Sequence, residues 1–182
     1  MSQGRIVVIT GSPGTGKTTV ASMVAKESDL DKSAHMRTDD FFHYLSKGAI
    51  PPHLPESNEQ NAIVIEAFLE AAKRYARGGY DVIVDGIVGP WFLAPWSALV
   101  REGYEVHYIV VRASREETMR RAVERSKLDR KTNVELVETM WAQFCSLGMY
   151  ESNVIETTNL SIQETVLAVK EKIASGSALL SA

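Results

Sequence analysis

Residues 11–19, GSPGTGKTT, concentrate glycine, lysine and hydroxyl side chains directly after an apolar run. They fit the pattern G-x-x-x-x-G-K-[ST], with Lys17 and Thr18 as its last two members. Glycines allow successive backbone N–H groups to turn inward, and these donors hold phosphate oxygens together with the positive end of a following helix. The lysine can bridge the outer phosphates, and the threonine hydroxyl can bind Mg²⁺. The pattern therefore predicts a site for ATP and Mg²⁺ rather than a glycine-rich turn with a lysine in solvent.

Eight residues of this stretch are expected to bind the nucleotide: Gly11, Ser12, Gly14, Thr15, Gly16, Lys17, Thr18 and Thr19. Lys17 is also a catalytic candidate, and Thr18 is also a candidate metal ligand. A second metal ligand is expected from YDVIVD (residues 80–85), where an apolar run ends at Asp85. An acid at the end of such a strand can hold Mg²⁺ through water. The alternative is that Asp85 is only a turn residue before Gly86.

Two adjacent acids, Asp39 and Asp40, follow another apolar run in the stretch TDDFFHYL (residues 38–45). Because the carboxyl ends of parallel strands meet at one edge of a sheet, these acids should lie on the same edge as the phosphate loop. A carboxylate there can take the proton from a hydroxyl that attacks the γ-phosphate, orient that hydroxyl, or hold a metal-bound water. The alternative is that the acids cap a helix that begins near Phe41. Both are therefore catalytic candidates.

Several arginines follow a later apolar run within a short segment: Arg112, Arg120, Arg121, Arg125 and Arg130. Arg121 and Arg125 are four residues apart and would share one face of a helix. Guanidinium groups on a mobile lid, expected at about residues 113–132, can neutralise charge on a phosphate during its transfer. Arg121, Arg125 and Arg130 are therefore catalytic candidates. The alternative is a solvated face on which Glu117, Arg121 and Arg125 form salt bridges.

Five apolar runs alternate with helical patterns and predict five strands, at residues 5–10, 33–38, 80–85, 104–112 and 153–156. Helices are expected at residues 18–27, 58–77, 92–101, 134–147 and 161–174, and another begins at Ser114. In the long second helix, apolar residues recur with helical spacing at Ile63, Ala67, Ala71 and Tyr75. This alternation predicts an α/β, three-layer, doubly wound fold with a five-stranded parallel sheet and a helical lid.

The chain of 182 residues has the length of one domain, with a net charge of −3 and one cysteine. The charge argues against a general binder of nucleic acid or anionic membranes. Cys145 is expected in the core, and a chain without an internal disulfide suggests a reducing compartment. No signal-like segment or membrane-length apolar run is present. We therefore expect a cytoplasmic monomer or homodimer that binds neither nucleic acid nor membrane.

Taken together, these motifs resemble the P-loop small-molecule kinases of the nucleoside-monophosphate-kinase-like fold, and most closely the chloramphenicol phosphotransferase-like proteins. The resemblance rests on GSPGTGKTT, VIVDG, VVRASREETMRRAVERSKLDR and VIETTNLSIQET. It implies that the positions matching the lid pattern of that family are Arg112, Glu116, Arg121, Arg125, Asp129 and Arg130. It also implies that residues 154–158 line an adenine pocket, largely through backbone.

The acidic stretch is similar to two different kinase patterns. The D-D-F-F of nicotinamide riboside kinases and the D-x-F-Y of uridine kinases imply that Asp39 is the base, whereas the D-F-L-H of gluconate kinases implies Asp40. We prefer Asp39. His43 is near the suspected acceptor pocket in either alignment and could contact the substrate.

The segment DGIVGPWFLAPW (residues 85–96) bears on the phosphate acceptor, because an adenylate-kinase-like enzyme would carry a basic clamp here. From Asp85 onward no arginine occurs until Arg101, so an apolar or aromatic hydroxyl compound fits better than a phosphorylated acceptor. Trp91, Phe92 and Trp96 either line the acceptor pocket or pack in the core. The sequence thus predicts an ATP-dependent phosphotransferase acting on a hydroxyl of a small molecule. The alternatives are a nucleoside-monophosphate kinase and a non-catalytic ATP-binding regulatory protein.

Overall fold

The computed structural model describes residues 4–125 and 130–181, with side chains for all of these except residues 125 and 130–133. The strands are β1 (Ile6–Thr10), β2 (Ser33–Arg37), β3 (Asp81–Asp85), β4 (Val106–Arg112) and β5 (Val154–Glu156). The helices are α1 (Lys17–Lys26), α2 (Thr38–His43), α3 (Asn58–Arg77), α4 (Ala94–Arg101), α5 (Arg115–Arg125), α6 (Arg130–Gln143) and α7 (Ile162–Ser175). Short 3₁₀ turns lie at Pro55–Ser57, Pro90–Phe92 and Gly148–Asn153.

All neighbouring strands pair in parallel, in the order β2-β3-β1-β4-β5. The predicted five-stranded parallel sheet is therefore confirmed. Every residue of β1 and β3 is buried, which explains why their sequences are nearly continuous apolar runs rather than alternating ones. The carboxyl ends of the strands share one edge, where Arg37 of β2 pairs in register with Asp85 of β3.

Each face of the sheet carries its own apolar core. Ile6 and Val8 of β1 pack into a cluster with Phe68 of α3 and Trp96 of α4. Successive side chains of a strand point to opposite faces, so Val7 and Ile9 join the second cluster instead. That cluster includes Val20 and Val24 of α1 and Val166 and Val169 of α7. The helices thus cover both faces, and the three-layer prediction is confirmed.

The buried face of α3 is not the row that contains Ile63 and Tyr75. Ile63 is 60% exposed and Tyr75 is 44% exposed, whereas Phe68 and Ala72 are fully buried. The helix carries apolar residues on two adjacent stripes, and the stripe that contains Val64, Phe68 and Ala72 is the one that docks on the sheet. The choice between these stripes is made by packing, which the helical period alone does not determine.

Cys145 is exposed, so the prediction of a core position was wrong. The helix α6 ends at Gln143, and the backbone turns there through hydrogen bonds from Phe144 N to Trp141 O and from Cys145 N to Ala142 O. This turn buries Phe144 and leaves the next residue outside. None of the described helices combines the length and the apolarity that a bilayer crossing requires.

Candidate active site

The predicted phosphate loop connects β1 to α1 at the carboxyl edge of the sheet. Thr15 Oγ1 donates a hydrogen bond to the carbonyl oxygen of Ser12 at 3.0 Å, and Lys17 Nζ donates to the same oxygen at 3.5 Å. Gly16 precedes α1 in a left-handed conformation (φ 83°), and no side chain caps the helix. The first N–H groups of α1 therefore remain for an anion, which is the arrangement found at phosphate-binding helix N-termini.

Gly14 brings this loop into direct contact with α5. It has φ of 85°, and a Cβ at this position would lie 2.9 Å from the carbonyl oxygen of Thr118 and 3.5 Å from the nitrogen of Ala122. Both partners on α5 are buried. Only a glycine allows the loop backbone to come this close to the helix backbone. The phosphate loop and α5 are therefore packed as one unit.

Asp85 lies buried at the end of β3 beside the start of α1. Burial alone would raise the pKa of its carboxyl, but the neighbouring side chains of His35 and Thr18 and the positive charge of Lys17 hold that pKa below its ordinary value. His35 Nε2 lies 3.7 Å from Asp85 Oδ2, and Arg37 Nε lies 4.0 Å from the same oxygen. The carboxylate is therefore kept ionised next to Lys17 and Thr18, which are both predicted to bind the nucleotide.

The pairing of Thr18 with Asp85 fits a magnesium site, because Mg²⁺ prefers hydroxyl and carboxylate oxygens and keeps several other ligands as water or phosphate. The part of the chain with described side chains contains no group of three or more His, Cys, Asp or Glu residues that could hold a metal ion. A Mg²⁺ ion held by these two residues would thus draw its remaining ligands from the nucleotide and from water.

The two adjacent acids occupy different environments. Because α2 begins at Thr38, both lie in its first turn rather than at its cap, and no side chain caps this helix. Asp40 pairs with Arg37 at 3.8 Å. Asp39 instead lines a cavity of about 970 Å³, which Pro13 of the phosphate loop also lines. Of the two candidates, Asp39 is thus the one that faces the larger cavity.

The walls of this larger cavity are mainly uncharged. Its aromatic lining consists of Phe42, Trp91 and Phe92, and α6 adds Leu136 and Met140. Among its described lining residues, the titratable side chains are Asp39, His43 and His53, and none is a lysine or an arginine.

Of the three aromatic residues considered for this wall, two line it and Trp96 does not. Trp96 is fully buried in the core, with its ring centroid 6.2 Å from that of Phe68.

A proline-rich segment closes one side of the larger cavity. Gln60 of α3 holds it in place, because its side chain accepts a hydrogen bond from Ile50 N at 2.8 Å and donates one to Ile50 O at 2.7 Å. Asn61 Nδ2 donates to Pro52 O at 2.8 Å, and the buried Ser57 hydroxyl donates to the same oxygen at 2.9 Å. The segment between α2 and α3 is thus a wall fastened to α3.

A smaller cavity of about 250 Å³ lies on the other side of the phosphate loop. Its lining combines Thr15, Gly16 and Val20 with four charged residues of α5 and with residues after β5. The latter are Thr157, Leu160, Ile162 and Thr165. From the segment expected to line an adenine pocket, residues 154–158, Thr157 lines this cavity.

The arginines after β4 have different surroundings: some hold parts of the fold together, and others line the smaller cavity. Arg112 donates to Glu156, Glu151 and the carbonyl oxygens of Phe144 and Cys145, so it fastens the chain after α6 to the end of the sheet. Arg120, which is exposed, forms salt bridges with Glu117 and Glu124. The side chains of Arg125 and Arg130, like Asp129, lie outside the described residues.

Arg121 also pairs with Glu117, its Nε lying 2.6 Å from Glu117 Oε1, and both residues line the smaller cavity. Hydrogen bonds from Arg120 and Arg121 lower the pKa of Glu117 to about 2.

Two features of the site were not found from the sequence: the two basic groups beside Asp85 (His35 and Arg37) and the backbone contact at Gly14. The first depends on β2 lying next to β3, a neighbour relation that the sequence pattern does not specify. The second depends on the docking of α5. The salt bridge between Glu117 and Arg121, expected as one alternative from their i, i+4 spacing, is present, and Arg120 is an additional partner of Glu117.

The chain is similar to known proteins in sequence and in fold. Residues 7–141 match the family model of an AAA domain. The adenylate kinase of Campylobacter curvus (strain 525.92) is 31% identical over 97 residues, which are 45% of this chain and 45% of that protein. The match thus spans a little under half of the length of this relative.

Two solved structures share the fold over nearly the whole chain. The tunicamycin resistance protein of Deinococcus radiodurans has a TM-score of 0.65 and 20% identity, and covers 99% of this chain and 100% of its own. The APS kinase of Mycobacterium tuberculosis, solved with AMPPNP and APS, has a TM-score of 0.68 and 21% identity. This match covers 96% of the present chain and 99% of the APS kinase chain. At these identities the likeness establishes the P-loop NTPase α/β fold.

Proposed function

The chain belongs to the AAA domain family, and from that premise we propose that it is an ATP-dependent phosphotransferase whose acceptor is a hydroxyl group of a small molecule. One observation carries this proposal: Pro13 of the phosphate loop and Asp39 line the same cavity. A triphosphate held by the loop and a hydroxyl held beside Asp39 would therefore meet. The APS kinase of the same fold, solved with a nucleotide analogue and its acceptor, is a precedent for such an arrangement.

The proposed reaction uses the residues already described. Asp39 accepts the proton of the acceptor hydroxyl as its oxygen attacks the γ-phosphorus, and the bond from that phosphorus to the bridging oxygen of ADP breaks. Lys17 and the N–H groups of the loop stabilise the phosphate oxygens. A Mg²⁺ ion, when bound by Thr18 and Asp85, offsets negative charge on the phosphates. Arg121 lines the smaller cavity together with Thr15 and Gly16 of the loop, from where it would donate to the nucleotide.

The acceptor itself is proposed to be an uncharged hydroxyl compound with an apolar or aromatic part. The aromatic side chains Phe42, Trp91 and Phe92 offer stacking and apolar contact in the larger cavity. A phosphorylated acceptor would need cationic partners, and the described lining contains no lysine or arginine. This argues against a nucleoside-monophosphate kinase.

The test is ADP formation from ATP and Mg²⁺ with a panel of acceptors: nucleoside monophosphates, sugars, sugar acids, nucleosides and aromatic alcohols. Stimulation by an uncharged hydroxyl compound is expected, with a loss of about 10²- to 10⁴-fold in Asp39→Asn. Asp31→Asn, at an exposed acid before β2, is the matched control and should keep full turnover.

Three outcomes would contradict the proposal in different ways. Loss of turnover in Asp40→Asn but not in Asp39→Asn would move the base by one residue. Stimulation by nucleoside monophosphates alone would favour the monophosphate kinase. Tight ATP binding without turnover by any class of acceptor would favour a non-catalytic ATP-binding protein.

A further inference from the structure

The start of α5 is fixed in place on two sides. Ser114 Oγ accepts a hydrogen bond from Glu117 N at 3.2 Å, so the first turn of the helix is capped. The next residue, Thr118, is fully buried and packs against Gly14 of the phosphate loop. The backbone of Glu117 therefore has a fixed position relative to the residues that would hold the phosphates.

The side chain of Glu117 faces the smaller cavity together with Arg121, one turn further along the helix. Arg121 Nε donates to Glu117 Oε1 at 2.6 Å, and the two side chains are only 23% and 20% exposed. This contact uses one of the several N–H donors of the guanidinium. The terminal amino groups are not engaged by Glu117, so a phosphate can be bound without breaking the pair.

A carboxylate in the wall of a cavity for a polyanion needs a reason, because like charges repel. Glu117 is shared by two arginines: Arg120 donates to both of its oxygens, at 2.9 and 2.8 Å, in addition to the contact from Arg121. Arg120 has a further carboxylate partner in Glu124, at 2.7 Å. Glu117 thus orders both arginine side chains beside the loop before any nucleotide arrives, which lowers the cost of ordering them on binding.

We propose that Glu117 is a positioning residue that holds the Arg121 guanidinium against the phosphate loop, beside Thr15 and Gly16, so that it can donate to the triphosphate. This inference rests on the nucleotide-binding part of the proposed function. The opposite role is that Glu117 competes with the phosphates for Arg121. The two roles predict opposite signs for the effect of removing the carboxylate.

The test is calorimetric titration of the full chain with ATP and Mg²⁺ in Glu117→Ala, Arg121→Ala and the double variant. Positioning predicts that Glu117→Ala weakens ATP binding about tenfold, and that this effect is much smaller in the Arg121→Ala background, where only Arg120 is left for Glu117 to order. A purely structural role would weaken binding in both backgrounds. Glu138→Ala is the matched control, because Glu138 of α6 pairs with a different arginine of α5, Arg115. This variant should bind ATP as the parent does.

A second measurement uses the parent protein, so it does not depend on whether a variant folds. The Arg121 Nε–H signal in ¹⁵N NMR should stay protected from solvent exchange when ATP is added, because the pair persists. Loss of that protection, tighter ATP binding in Glu117→Ala, or an undiminished effect of Glu117→Ala in the Arg121→Ala background would overturn the inference. Absence of ATP binding in the parent protein would instead overturn the proposed function, and this inference with it.

Discussion

Pro13 and Asp39 line one cavity although the strands that precede them, β1 and β2, are not neighbours in the sheet. The strand between them, β3, ends at Asp85, which contacts Thr18 on the loop side and His35 of β2 on the other side. The candidate metal ligand therefore lies between the phosphate loop and β2. All three are at the carboxyl edge of the sheet, where ligands bind in open α/β folds.

The contact between Gly14 and α5 predicts a specific sensitivity to a single methyl group. Gly14→Ala adds the strain of a left-handed conformation and a Cβ only 2.9 Å from the backbone oxygen of Thr118. Gly48→Ala adds similar strain (φ 73°) but meets nothing within 4 Å. Urea unfolding should show that Gly14→Ala loses about 1–3 kcal/mol more of the free energy of unfolding than Gly48→Ala. Equal losses would mean that the loop and α5 do not pack together in solution.

The two tryptophans after β3 should respond differently to removal. Trp96→Ala empties a fully buried site and should cost about 3–5 kcal/mol of the free energy of unfolding. Trp91 is 56% exposed and its ring contacts Phe144 at a centroid distance of 5.4 Å, so Trp91→Ala should cost only about 1 kcal/mol. Chemical denaturation measures both.

The Trp91 variant also tests acceptor binding separately from packing. Trp91→Ala should lower acceptor-dependent ADP formation under conditions where the protein is fully folded, because Trp91 lines the larger cavity. Full turnover in folded Trp91→Ala would remove this residue from the acceptor site.

The pairing of Glu117 with Arg120 and Arg121 on α5 leads to a prediction for the acid titration of the Glu117 carboxyl. Hydrogen bonds from Arg120 and Arg121 lower the pKa of Glu117 to about 2 from an ordinary 4.5. A carboxyl with a lowered folded-state pKa stabilises the fold above its unfolded-state pKa. Its contribution should thus be complete above about pH 4.5 and be lost as the pH falls toward 2.

Side-chain NMR titration of the parent and of Arg120→Met checks this directly. The variant should raise the pKa of Glu117 toward its ordinary value, because the largest cause of the shift is the bond from Arg120. Glu164 is the internal control, since its lowered pKa comes from hydrogen bonds at Ser161 and should not change. An unchanged Glu117 pKa in Arg120→Met would show that the pair does not form in solution.

The strands, the phosphate loop and most helices could be predicted from the sequence because each depends on local chemistry. The helix expected at residues 161–174, for example, begins with a capping box in which Ser161 and Glu164 form both hydrogen bonds. The buried face of α3 could not be predicted, because Ile63 and Val64 are both apolar and docking selects between them. The neighbourhood of Asp85 was missed for a related reason: Arg37 reaches it only through the pairing of β2 with β3.

The proposed function depends on residues 11–18 holding the phosphates of a nucleoside triphosphate. Calorimetric titration of the folded protein with ATP and Mg²⁺ tests it, with Lys17→Met as the site variant and Lys26→Met, at the exposed last turn of the same helix, as its control. We expect saturable binding in the parent and in Lys26→Met, and a loss of about 10- to 100-fold in affinity in Lys17→Met. No heat from either ATP or GTP in the folded parent protein would mean that residues 11–18 do not hold a triphosphate.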